Sequence, residues 1–283
     1  MEINKLYNID CIEHMKTIPN ESIDLIIADA PANGIVKDKW DNQWGSEDEY
    51  VEWLVGIVLE FERILKPTGT LYLYQWIGEK NPLTMAKVLL KIAEKSSLNF
   101  KNIITWKKDR GFGVSNNYMY VREEILFYTK HKKEYTFNVQ YGNIKRNYIR
   151  KCGKSYYKRV GNVWVEIQNE EFPCQNIFDD INEKTYEDIY NQRQEEYSLD
   201  TKSKSLHSTQ KPQQICDRLI KASSDEGDLV YIPFAGSGSE IVSCINNNRN
   251  WIATEINKEY IETIKDRIKQ TFDSQGIENC ISQ

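Results

Sequence analysis

The sequence lacks any apolar run approaching the ~18 residues of a membrane-crossing helix, and Met1-Glu2-Ile3-Asn4-Lys5 opens no charged-then-apolar leader. Neither a membrane span nor an export signal is expected, and the protein reads as cytoplasmic. Histidine is scarce, with 3 residues far apart, and the 6 cysteines (Cys11, Cys152, Cys174, Cys216, Cys244 and Cys280) form no C-x-x-C pair. That spacing argues against a zinc site and for reduced, structural thiols. No internal repeat is visible. Net positive charge is also missing: the formal charge is -5, which would weigh against a nucleic-acid partner if it were evenly spread. With 283 residues and 40% hydrophobic content, the chain can bury one large core or two small ones.

The charge is concentrated. Between residues 130 and 160 ten Lys or Arg, among them Lys145, Arg146, Arg150, Lys151, Lys154, Lys158 and Arg159, stand against one acid, Glu134. Tyr135, Phe137, Tyr141, Tyr148, Tyr156 and Tyr157 are interleaved with them. Cations alternating with aromatic rings suit a phosphate backbone and unstacked bases, although a solvated lysine-rich module has the same composition. From 166 to 200 the sign reverses, with eleven acids against Lys184 and Arg193.

The remaining pattern alternates strands and helices. Ser22 to Ala28 is a short, nearly uncharged run, the mark of a strand buried on both faces of a parallel sheet. Asp29 cannot extend it and Pro31 offers no N–H to a ladder, so a carboxylate stands at the strand's carboxyl end. Helices are expected at 11–17, 47–65, 82–96, 211–223, 239–246 and 258–271. Strands are expected at 5–10, 70–74, 102–106, 124–129, 229–232 and 251–255, with Lys66-Pro67-Thr68-Gly69 as a helix stop and the 102–106 and 124–129 pair enclosing Gly111-Phe112-Gly113. The implied fold class is a doubly wound, mainly parallel α/β sheet.

A second signal lies near the C-terminus. Strand 228–232 leads into Pro233-Phe234-Ala235-Gly236-Ser237-Gly238-Ser239, then a helix, then a strand ending in Glu255. Small residues allow close backbone approach to a ligand, the helix offers free N–H groups, and an acid about twenty residues on is placed to accept from ribose hydroxyls. A nicotinamide enzyme fits less well, because the third glycine of G-x-G-x-x-G is absent.

In this order the segments resemble an amino-group DNA methyltransferase of the β order, over nearly the whole chain. Asp29-Ala30-Pro31-Ala32 stands where that family has D-P-P-Y, and Phe234-Ala235-Gly236-Ser237-Gly238 where it has F-x-G-x-G. Ser208-Thr209-Gln210-Lys211-Pro212 is similar to its T-x-K-P segment, and Asn8-Ile9-Asp10-Cys11 to the element near the cofactor adenine. Ile252 to Asn257 is similar to the ribose-binding strand end, and Lys39-Trp40-Asp41 to a segment after the catalytic loop. The resemblance implies catalytic residues Asp29, Ala30, Pro31 and Ala32, and S-adenosylmethionine held by Asp10, Cys11, Asp29, Gln210, Lys211, Pro212, Phe234, Ala235, Gly236, Ser237, Gly238 and Glu255. It also implies double-stranded DNA bound by Lys107, Arg110 and the seven basic residues named above, a homodimer, and a division into 1–130 (catalytic half), 131–206 (target recognition) and 207–283 (cofactor half). The base would be rotated out of the duplex before reaction.

An aspartate opening the motif favours adenine N6; relatives acting on cytosine N4 more often begin with serine. An RNA methyltransferase is a poorer fit to the large basic insert. Two departures stand out: Ala30 replaces the first proline and Ala32 the stacking tyrosine, the pattern of an active parent truncated at its base pocket. They favour either an impaired enzyme or a non-catalytic DNA binder of the same fold. Ile232 replaces a frequent acid, which implies weaker hold on the methionine amino group. Trp40 and Trp44 read as pocket walls or as packing, Lys108 as a phosphate contact or a solvated charge, and His207 as ordering its turn. His14 and His131 read as surface residues.

Overall fold

The computed structural model describes residues 1–34, 39–77, 82–112, 120–140, 151–152, 155–160, 163–167, 177–178 and 210–275. Their elements in chain order are β1 (Lys5–Tyr7), α1 (Cys11–Met15), β2 (Ile23–Ala28), α2 (Glu47–Ile64), β3 (Leu65–Gln75), α3 (Thr84–Lys95), β4 (Asn99–Phe112), β5 (Tyr120–Thr129), β6 (Lys151–Cys152), β7 (Ser155–Val160), β8 (Val163–Ile167) and β9 (Ile177–Phe178). Then come α4 (Gln213–Ser223), β10 (Leu229–Ile232), α5 (Ser239–Asn246), β11 (Asn250–Thr254) and α6 (Lys258–Gln275).

Among these residues an eight-stranded sheet runs β1-β11-β10-β2-β3-β5-β4-β9. It is parallel from β1 to β3, β5 is antiparallel to both neighbours, and β9 lies parallel to β4. A separate antiparallel sheet, β6-β7-β8, takes its first two strands from the basic segment and its third from just beyond it.

The uninterrupted apolar run of β2 has a direct reading in this architecture. Ile23, Ile26 and Ala28 join one core with Met15, Leu54, Val58, Phe61, Val88 and Ile92 from α1, α2 and α3. Leu25 and Ile27 join a second core on the other face, with Ile215, Leu219, Ile241, Cys244, Ile264 and Ile268 from α4, α5 and α6. Alternate side chains point to opposite faces, so a strand covered on both sides must be apolar at nearly every position. This is the doubly wound arrangement.

Three expectations are corrected. Lys66-Pro67-Thr68-Gly69 does not separate helix from strand: β3 begins at Leu65, and the register passes from Ile23–Leu65 to Leu25–Thr70, so the turn residues are absorbed as a bulge. The 5–10 strand stops at Tyr7, because Asp10 caps α1 by accepting from the Ile12 N–H at 2.8 Å. His14 is not a surface residue. It is 5% exposed, beside the rings of Tyr7 at 4.5 Å and Tyr231 at 5.8 Å, since Cys11, His14 and Met15 share the inward face of a five-residue helix. Burial lowers its pKa. No helix among the described residues is long and apolar enough to cross a membrane.

Candidate active site

Strands β2 and β10 are parallel neighbours, with Leu25 opposite Val230 and Ile26 opposite Tyr231. The turns after Ala28 and Ile232 therefore leave the sheet side by side. Here the winding reverses, β2 leading toward β3 and β10 toward β11, and open α/β sheets bind ligands in the crevice at such a switch point.

On the β2 side Asp29 is half-buried, its Oδ2 2.8 Å from Lys211 Nζ. Lys211 also lies 3.3 Å from Glu123 Oε2, whose other oxygen pairs with Lys108. Burial pushes the Asp29 carboxyl above its ordinary range, with Lys211 pulling the other way. Burial also raises Glu123, but Lys211 and Lys108 together bring it below the usual carboxylate value. The chain beyond Asp29 is held by its backbone. Ala32, Asn33 and Gly34 donate N–H bonds of 2.6, 2.8 and 3.0 Å to the carboxylate of Asp41, which is 1% exposed. The Tyr50 hydroxyl donates to the Pro31 carbonyl at 2.7 Å. Asn33 (φ 62°) and Gly34 (φ 93°) take the left-handed backbone that gathers these donors.

On the β10 side Phe234 is half-buried beside Trp53, their ring centres 6.2 Å apart. The Ala235 N–H donates to the Thr254 carbonyl at 2.9 Å and the Gly238 N–H to the Ala235 carbonyl at 2.7 Å. Gly238 has φ 79°, and a Cβ there would lie 3.1 Å from Ile264 Cγ2, so both conformation and packing call for glycine. Glu255, just past β11, accepts N–H bonds from Gly236 on Oε2 and Asn257 on Oε1, each 2.8 Å. Asn8 Nδ2 donates to its carbonyl at 2.8 Å, which brings the β1–α1 turn to the same edge. Burial raises the Glu255 carboxyl and pushes the Cys11 thiol up to about 12. Cys11, Cys216 and Cys244 are buried free thiols.

The loops are joined. Ser239 Oγ donates to the Lys211 carbonyl at 3.0 Å, Gln213 Nε2 to the Ser239 carbonyl at 3.0 Å, and Arg267 Nη1 to the Ser237 carbonyl. The crevice thus sets a carboxylate acceptor against a small-residue loop and a second acid one strand away.

The family model for DNA methylases matches residues 23–266. The chain belongs to the DNA methylase family. Enzymes of this family methylate the exocyclic N6 or N4 amino group of a base, and their methyl donor is S-adenosylmethionine. This methylase is 32% identical over 93% of its length to the type II methyltransferase M.HpaI of Haemophilus parainfluenzae, covering 73% of that protein. It is 31% identical over 92% of its length to the DNA adenine methyltransferase YhdJ of Escherichia coli, covering 81%. Among solved structures, the PvuII DNA methyltransferase (cytosine-N4-specific) superposes with a TM-score of 0.66 at 14% identity, over 96% of this chain and 92% of that one.

Of the residues marked in the methylase sequence, the structure brings Asp29 to Ala32, Lys211, Phe234 to Gly238 and Glu255 to one edge. Gln210 is half-buried and Pro212 buried at the start of α4. Ile232 is fully buried in the core, as is expected of a side chain that has no polar task. The Asp10 carboxylate is engaged as the α1 cap. Lys107 is exposed on β4. Lys151, Lys158 and Arg159 fall on β6 and β7, but their side chains, and that of Arg110 on β4, lie outside the described ones, as do Lys145, Arg146, Arg150, Lys154 and His207 altogether. Trp44 packs on Tyr50 at 4.9 Å and Trp53 at 4.6 Å, which favours the packing reading. Lys108, read as a phosphate contact or a solvated charge, is instead tied to Glu123 and lies over the rings of Trp76 (4.7 Å) and Trp106 (4.9 Å).

Sequence reasoning gave no role to Asp41, Tyr50, Glu123 or Glu240. Glu240 is 4% exposed, its Oε1 3.6 Å from Cys216 Sγ. Burial, and then the charge of Asp29, push its carboxyl up to about 7. The folded state therefore keeps a proton that the unfolded state has lost, so the stability tied to this proton is full at acid pH and falls as pH rises from the ordinary value of 4.5 to about 7. Glu240→Gln is expected to abolish that decline, adding about 3 kcal/mol at pH 8 and little at pH 4.5 in denaturant unfolding.

Proposed function

We propose that this chain is a site-specific DNA adenine-N6 methyltransferase of restriction-modification or phage type, using S-adenosylmethionine and impaired in transfer by Ala30 and Ala32. The observation that carries the reading is the placement of the Asp29 turn and the Phe234–Gly238 loop on adjacent parallel strands at the switch point. The residues fit the cofactor. Each Glu255 oxygen accepts one backbone N–H and keeps a lone pair for a ribose hydroxyl, and the left-handed Gly236 and Gly238 bring bare backbone to the loop. When bound, S-adenosylmethionine supplies an electrophilic methyl group on a sulfonium.

Asp29 would accept an N–H from the target amino group, and the backbone carbonyl after it the other, drawing the nitrogen lone pair out of the ring and toward the methyl carbon. No covalent intermediate is needed, and alignment of nitrogen, methyl and sulfur supplies much of the rate. The opening aspartate and the likeness to a DNA adenine methyltransferase support adenine; cytosine N4 presents the same amino chemistry and is the runner-up. Residues 131–206, with their local excess of cations, would read the DNA, and a homodimer would be the working form. The alanines favour one other reading, a DNA binder of methylase fold that transfers nothing.

Titration calorimetry of S-adenosylmethionine and S-adenosylhomocysteine, with and without duplex DNA, tests the cofactor assignment. Both are expected to bind, more tightly with DNA, and Glu255→Ala is expected to weaken binding about tenfold or more by removing charge-assisted bonds to the ribose. Absence of binding under every condition would remove the cofactor assignment and leave DNA binding alone.

A further inference from the structure

We propose that Lys211 and Glu123 are positioning residues for methyl transfer: the buried run Lys108–Glu123–Lys211 sets the Asp29 carboxylate in place and ties it to the cofactor-side loop. The proposal rests on the reading of Asp29 as acceptor for the target amino group.

Side-chain exposure is 6% at Lys211 and 9% at Glu123. Buried ion pairs gain little net stability, because desolvation offsets their attraction, and losing one partner strands the other. A run drawn from four separate parts of the fold (β2, β4, β5 and the segment before α4) is thus poorly explained as a staple. Its geometry points at one atom. Lys211 Nζ bonds Asp29 Oδ2 at 2.8 Å, Glu123 holds the same ammonium at 3.3 Å, and Lys108 holds Glu123 from behind. The Lys211 carbonyl meanwhile accepts from Ser239 Oγ at 3.0 Å, one residue past Gly238. One residue therefore touches both the catalytic turn and the start of α5.

The groups facing Asp29 are Lys211, Glu123 on β5, Lys108 on β4, Glu240 on α5, Tyr74 on β3 and Tyr50 on α2. Two ammonium groups balance Asp29 and Glu123, and the third carboxyl, Glu240, is the one held near neutrality. Remove Lys211, and burial acts on Asp29 with only the more distant Lys108 charge against it. A protonated carboxyl presents a donor where the reaction needs an acceptor. Remove the Glu123 charge, and Asp29 loses a repulsive neighbour while Lys211 loses its backing.

The two lesions should therefore shift Asp29 in opposite directions. In the chain as it stands, carboxyl-labelled NMR is expected to show the Asp29 titration moving up by about one pH unit or more in Lys211→Met, down in Glu123→Gln, and little in Lys211→Arg. In a chain carrying Ala30→Pro and Ala32→Tyr, the acid limb of single-turnover methylation should move the same way. Lys211→Met and Glu123→Gln should both slow transfer at neutral pH even at saturating S-adenosylmethionine, which places the loss in the transfer step and not in cofactor binding. Unmoved titrations, or equal shifts of one sign, overturn the proposal, as does loss of rate wholly matched by loss of cofactor affinity. Titrations that move as stated in a chain that never methylates overturn the functional reading instead, and leave the placement of Asp29 by Lys211 standing.

Discussion

Placing proline at position 30 and tyrosine at position 32 is expected to raise single-turnover methylation of adenine-containing duplex DNA by about 10- to 1,000-fold. An aromatic ring stacked on an unpaired base contributes roughly 1–3 kcal/mol, and a proline that fits the native backbone adds about 0.4–1 kcal/mol by restricting the free chain. At about 1.4 kcal/mol per tenfold, the two span that range. The gain needs a loop already shaped to receive the side chains. Three backbone N–H groups on Asp41 and the Pro31 carbonyl on Tyr50 supply that shape, and none of these bonds uses the side chain of residue 30 or 32. Transfer of labelled methyl groups under excess enzyme is the measurement. A doubly substituted chain that binds cofactor and DNA yet stays silent would identify a non-catalytic binder.

Asp29→Ala in that restored chain is expected to cost about 10²–10³ in the same rate, the scale on which removing one preorganised polar group from a reacting centre is felt. Asp29→Asn should fare nearly as badly. It preserves shape but trades the anion for a neutral amide, and the amide's N–H₂ end repels the amino group it should receive. Both rates are to be read at saturating S-adenosylmethionine, because Asp29 also stands among the residues expected around the cofactor. Asparagine retaining most of the rate would show that an anionic acceptor is not what the reaction uses.

Both halves of the crevice were legible because each is a local pattern: an apolar strand broken by an acid and a proline, and a small-residue turn between strand and helix. That the two meet around one cofactor followed from the family resemblance, since the doubly wound class alone does not make β2 and β10 neighbours. What holds Asp29 was not legible. Lys211 belonged to a recognisable segment, yet nothing local shows that its ammonium reaches Asp29 or that Glu123, one of two consecutive glutamates on β5, stands behind it. Nothing in the sequence marked Glu240, which lies 4% exposed beside Cys216 where α5 packs against α4. Asp41 was visible beside Trp40, but its task depends on where three backbone N–H groups converge. His14 was misjudged for a related reason, because α1 is too short to display a helical period.

The order of strands bears on how the chain reaches its native state. β1 is made first, but its neighbour in the sheet is β11, and β10 and β11 lie between β1 and β2. Until β10 has emerged, β2 presents an open edge whose Leu25, Ile26, Ile27 and Ala28 are at most 1% exposed once folding is complete. Closing that gap requires contacts between strands far apart in sequence, the arrangement that slows folding and lengthens the life of aggregation-prone intermediates. The crevice between β2 and β10 comes into being with this late insertion, so the same event that protects the most adhesive strand also assembles the reaction centre.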